Sequence, residues 1–168
     1  NAAGENVLIP VYDKIDQTGI DIQYTQGSWL FKFEGYSRSG QGERFEAFVA
    51  GFEYTFFDIM NSGADLGLLA EYSEDNRDDS VAMPSLYDND SFVGFRYAMN
   101  NIDDLTILGG ALVDNKSKFR SYIVEAETRI GDNFESSLEA RFNAGAGKDL
   151  ELGLENEDYI GLTISYYF

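Results

Sequence analysis

The chain has 168 residues, with 30 acidic and 12 basic side chains, a formal charge of -18, two Pro, 17 Gly, and neither Cys nor His. This charge balance excludes the basic surface that nucleic-acid binding needs, and missing Cys and His exclude disulfide frameworks and Ser-His-Asp or Cys-His catalysis within these residues. One domain is expected from the length, and the lack of any 18-residue apolar run excludes a spanning helix but not spanning strands.

Residues 1–17 read as an N-terminal segment or an extracellular loop. Val7 to Tyr12 is a possible short extra strand, although Pro10 suits it poorly to a central position. From Thr18 onward, period-two alternation recurs and the helical period is nowhere convincing, so 18–168 is read as one β domain. The first strand, about Thr18 to Thr25, sets Ile20, Ile22 and Tyr24 against Asp21 and Gln23. The second alternates Trp29, Phe31 and Phe33 with Leu30, Lys32 and Glu34, and the third alternates Phe48, Phe52, Tyr54 and Phe56 with Val49, Gly51, Glu53 and Thr55. A fourth places Leu66, Leu68, Ala70 and Tyr72 opposite Asp65, Gly67, Leu69 and Glu71. The fifth places Val93, Phe95, Tyr97 and Met99 opposite Phe92, Gly94 and Arg96. The sixth, about Leu105 to Val113, is apolar on both faces, and its orientation stays open. The seventh sets Tyr122, Val124, Ala126 and Ile130 against Ser121, Glu125, Glu127 and Arg129. The eighth sets Phe134, Leu138, Ala140 and Phe142 against Glu135, Ser137, Glu139 and Arg141, and the last sets Ile160, Leu162, Ile164, Tyr166 and Phe168 against Gly161, Thr163 and Ser165.

The connections alternate in length. One set is short: Gln26 to Ser28, Phe57 to Gly63, Asn100 to Asp104 and Gly131 to Asn133. The other set contains the acidic stretches Glu74 to Asp90 and Gly145 to Asp158. Short turns at one end and long loops at the other are the layout of an antiparallel, up-and-down transmembrane β-barrel in a bacterial outer membrane. Tyr24, Trp29, Phe56, Tyr97, Phe134 and Phe168 fall beside the short turns at one level, as a girdle at a membrane interface would. The competing soluble sandwich or lipocalin-like barrel must pack these rings, with Phe31, Phe33, Phe48, Phe52 and Phe95, into one small core. A small barrel interior admits few such side chains. Large rings facing lipid, with Gly51, Gly67, Gly94, Gly110 and Gly161 sharing the interior with charges, resolve the crowding.

The ending Asp158-Tyr159-Ile160-Gly161-Leu162-Thr163-Ile164-Ser165-Tyr166-Tyr167-Phe168 resembles the C-terminal β-signal of bacterial outer-membrane proteins. The resemblance implies that barrel-assembly machinery reads Ile164, Tyr166 and Phe168. The stretch Phe52 to Tyr72 is more faintly similar to uncharacterised porin-like proteins of proteobacteria, a likeness that brings no established activity. Bacterial single-chain barrels have even strand counts and both ends in the periplasm. Nine strands ending at a periplasmic Phe168 therefore favour the C-terminal part of a larger barrel over a self-contained one of eight to ten strands.

The expected lumen holds Lys32, Glu34, Glu53, Asp65, Glu71, Arg96, Glu125, Glu127, Arg129, Glu139 and Arg141. In a narrow barrel these would pair and plug the interior, with the seventh and eighth strands contributing opposite signs. In a wider one they would line water and their acidic excess would favour cations. The leading functional expectation is a porin-like channel for small solutes. The alternative is a non-conducting structural or surface-interaction barrel presenting acidic loops. No catalytic residue and no cofactor is expected. Asp75, Asp78 and Asp79 carry oxygens suited to Ca²⁺, but they fit no EF-hand pattern, and a solvated acidic surface loop is the simpler reading. Expected partners are outer-membrane lipid and lipopolysaccharide, with a homo-oligomer or the remainder of a larger barrel also open.

Overall fold

The computed structural model describes residues 12–78, 80, 85, 87–145 and 157–168. Most of the extra strand expected at Val7 to Tyr12, Asp79, and the interior of the Gly145–Asp158 connection lie outside the described residues. The nine expected strands all form: β1 (Asp16–Gln26), β2 (Trp29–Ser39), β3 (Phe45–Phe56), β4 (Asp65–Asp75), β5 (Asn89–Ala98), β6 (Thr106–Asp114), β7 (Arg120–Ile130), β8 (Phe134–Ala144) and β9 (Tyr159–Tyr166). They make one antiparallel meander in sequence order, with a single 3₁₀ turn at Ile59–Asn61 between β3 and β4. The sheet is open: β1 and β9 are its two edges, and with nine alternating strands both run in the same direction.

Tight turns fix the register at one end. Gly27 (φ 59°) and Gly131 (φ 65°) take a left-handed backbone that side chains with a Cβ rarely adopt. Around the longer β3–β4 turn, the Asp58 carboxylate accepts from Gly63 N–H and the Asp65 carboxylate accepts from Asp58 N–H. Paired residues in an antiparallel ladder share a face, so the register carries each strand's alternation across the whole sheet. One row runs Tyr24–Phe31–Phe52–Ala70–Val93–Ala111–Tyr122–Phe142. The next row, on the opposite face, runs Lys32–Gly51–Glu71–Phe92–Leu112–Ser121–Asn143. The orientation left open for β6 is thereby settled: Ile107, Gly109, Ala111 and Val113 join the aromatic face, and Thr106, Leu108, Gly110 and Leu112 the charged one.

The two faces differ sharply in character. Isoleucines, leucines and rings of the aromatic face stand exposed from Ile20 in β1 to Tyr166 in β9. The most buried strand side chains, Phe45, Ala47, Asp75, Asp90, Asp114 and Ser121, lie on the charged face, with Ala140 the exception. These charged-face positions all lie toward the loop ends of their strands.

Glycines let large side chains lie flat along this wall. A Cβ at Gly110 would sit 2.3 Å from the Phe92 ring, and one at Gly51 would sit 2.6 Å from Glu71 Cγ. On the aromatic face, Phe95 covers Gly109 in the same way, at 2.7 Å. This explains why β6 looked apolar on both sides: its Gly109-Gly110 step receives one ring on each face.

Candidate functional site

All ten charged residues singled out from the sequence, Lys32, Glu34, Glu53, Glu71, Arg96, Glu125, Glu127, Arg129, Glu139 and Arg141, fall on the one charged face. Asp65 joins them. The ten comprise six carboxylates and four cations. Tyr24, Trp29, Phe56, Tyr97 and Phe134 lie on the opposite face at the turn end. Ring contacts link Trp29 to Phe31, Phe52 and Tyr54, Tyr54 to Phe56, and Phe134 through Tyr166 to Phe168.

Toward the turn end, the Arg96 guanidinium donates to the Glu53 carboxylate across Gly67, the residue that separates β3 from β5 at that level. The same register row continues Arg96–Leu108–Glu125–Glu139. A cleft of about 490 Å³ opens here between Arg96 on one wall and Glu125, Glu127 and Glu139 on the other.

The expectation that β7 and β8 would set opposite charges side by side is met by the register only in part. Arg129 does stand opposite Glu135, but Glu125 stands directly opposite Glu139 and Arg141 opposite Ile123, and no side chains of these two strands approach within ion-pair distance among the described residues. Like charges placed directly opposite cost stability. The Tyr159 hydroxyl relieves part of that cost by donating to Glu139. Arg141 Nε is buried without a hydrogen-bond partner. The charged face is thus only partly neutralised, and its acidic excess borders the open cleft.

Toward the loop end the charged face is tightly built. Arg77 donates through Nε and Nη2 to both carboxylate oxygens of Asp75 at 2.5–3.0 Å, and Nη2 also donates to the Tyr36 hydroxyl at 3.0 Å. Its guanidinium lies 5.0 Å from the centre of the Phe45 ring. The hydrogen bond with Asp75 raises the Arg77 pKa, against the opposing effect of burial. Lys116 Nζ reaches Asp88 at 3.2 Å. Asp114 turns the chain after β6 by accepting from the Lys116 and Ser117 N–H groups, an Asx-type turn.

Sequence reading took Glu74 to Asp90 for a solvated loop. The structure instead runs β4 through Asp75, starts β5 at Asn89, and buries Asp75, Asp88 and Asp90. Of the three calcium candidates, Asp79 lies outside the described residues and the other two are already engaged. Arg77 occupies both oxygens of Asp75, and Asp78 is engaged by the Ser80 hydroxyl and N–H. Among the described residues no group of three or more acids is arranged to hold a metal ion.

These features define a class: an open antiparallel meander with one apolar, aromatic-rich face and one partly neutralised acidic face. No known protein family, curated protein or solved structure matches the chain.

Proposed function

We propose that the chain is a transmembrane β-barrel of the bacterial outer membrane, acting as a porin-like channel for small solutes with a preference for cations. The observation that carries the membrane reading is the exposed apolar face. It contributes exposed large apolar side chains in every strand but β6, an apolar area far beyond what a soluble monomer leaves to water. Its height fits a bilayer. From Tyr122 to Ile130, or from Phe134 to Phe142, the apolar stretch spans eight residue steps. At ~3.3 Å per step this is ~26 Å along the strand. A tilt of ~40° leaves ~20 Å, comparable with the ~25 Å apolar band of outer-membrane barrels. The aromatic cluster around Trp29 at the turn end supports an interfacial girdle there.

The channel reading rests on the acidic wall of Glu125, Glu127 and Glu139 facing an open cleft, since carboxylates lining water select cations. The C-terminal likeness supports delivery by the barrel-assembly machinery through Ile164, Tyr166 and Phe168. Single-channel recording of the refolded full chain in planar bilayers tests the function. Cation-preferring conductance is expected, and silence or anion preference would sink the channel. The Arg96–Glu53 pair and the ring of Phe92 also suit a non-conducting barrel that offers its acidic loops to a partner. A silent protein that still inserts and binds through its loops would favour that second reading.

A further inference from the structure

The strand walls alone do not shape the loop-end mouth. The described parts of the β4–β5 connection turn back over the charged face, where two features fix them. First, Arg77 follows β4 and is held inward by Asp75 of the same strand, Tyr36 of β2 and the Phe45 ring of β3. Second, Asn76 locks the root of the connection to β3, donating from its backbone to Glu46 O and accepting Glu46 N–H on its side chain.

Tyr87, at the far root, lines both interior spaces of this end. The space on the β1–β4 side measures about 520 Å³, and the one on the β5–β9 side about 100 Å³. The larger space carries Asp21 and Glu34, which are direct register partners on the charged face, and neither forms an ion pair among the described residues. The smaller one is closed in by Phe119, Leu112 and Arg141.

The geometry points to a divided mouth. Arg77 and Tyr87 confine passage to the β1–β4 side of the charged face, and Asp21 and Glu34 are the facing carboxylates that an entering cation meets once past Arg38 and Arg77. This rests on the channel reading and specifies its route. It also assigns Asp21, a residue on no expected lumen list, to selectivity.

The chain has no Cys, so single cysteines can be placed without background. Glu34→Cys and Asn143→Cys put one thiol on each side of the division, and a cationic methanethiosulfonate applied from the loop side reads them. Conductance should fall about two-fold or more on modification of Glu34→Cys and stay unchanged for Asn143→Cys, since added bulk and positive charge act only where ions pass. Tyr87→Ala and Arg77→Gln, tested separately, should each raise unmodified conductance and make Asn143→Cys sensitive to the reagent. Should one of them fail to fold, the other carries the test. Equal block at both positions, block only at Asn143→Cys, or unchanged conductance in Tyr87→Ala would overturn the divided route while leaving a conducting wild type. A silent wild type would instead overturn the channel reading, and the route with it.

Discussion

Leu138 offers the sharpest discrimination between lipid and water on the apolar face. It sits four residues from Phe134 and four from Phe142, with Ala126 and Leu162 as its register partners, and is 37% exposed. Four steps of ~3.3 Å put each ring ~13 Å away along the strand, so position 138 is the midpoint of the band. If lipid covers this face, Leu138→Arg places a guanidinium at the bilayer midplane, at a cost of ~2–4 kcal/mol. At ~1.4 kcal/mol per tenfold, that is roughly a 30- to 1000-fold loss in the folding equilibrium. If water covers it, an exposed Leu→Arg change lies within ~0.5 kcal/mol. The control is Ser137→Arg, one residue along on the charged face beside Glu125, Glu127 and Glu139, where a cation finds opposite charge. Urea titration of the chain folded into phosphatidylcholine vesicles measures both, with a heat-dependent gel shift as an independent index of folding. A Leu138→Arg cost no larger than that of Ser137→Arg would refute the lipid-facing assignment.

Other changes follow from named contacts. Glu125→Gln removes one of two carboxylates facing each other across β7 and β8 and should stabilise the fold by ~0.2–1 kcal/mol in vesicle urea titration; the same variant should weaken cation preference in reversal-potential measurements. Gly110→Ala drives a methyl into the Phe92 ring and should cost ~1–3 kcal/mol, with part of the loss recovered in the Gly110→Ala, Phe92→Leu double variant. The Ser80 hydroxyl and N–H hold Asp78 below the ordinary carboxylate value of 3.8. That contribution is therefore present above the ordinary value and is lost as pH falls through the lowered one. Ser80→Ala should move the Asp78 NMR titration back up, and no upward movement would disprove the assignment.

Much of the sheet was readable because each strand carries two faces of opposite character, and a period of two fixes both element and face. That is why β8, with Phe134, Leu138 and Phe142 against Glu135, Glu139 and Arg141, was plain. β6 was not, because its charged-face positions Leu108 and Leu112 are apolar and its glycines carry no facial signal. The lower half of the candidate site was also legible, since its charges sit within regular alternation.

The loop-end half was hidden. Asp75, Asp88, Asp90 and Asp114 look like any acidic loop until Arg77 and Lys116 are brought in from turns that alternation cannot place. The charge relations of β7 and β8, where Arg129 does face Glu135, were only half legible for a related reason. Residue type suggests partners, but only the register puts Glu125 opposite Glu139.

The contacts of Trp29 give the molecule an optical property of its own. The chain contains one indole, stacked on Phe31 with an interplanar angle of 10° and edge-on to Tyr54, at the turn end of the apolar face. Its emission therefore comes from a single depth and a single orientation rather than from an average over sites. If lipid covers this face as proposed, bromine placed at successive positions along an acyl chain would quench it most strongly at the depth of the ring, which makes Trp29 a native depth gauge for the proposed interfacial girdle.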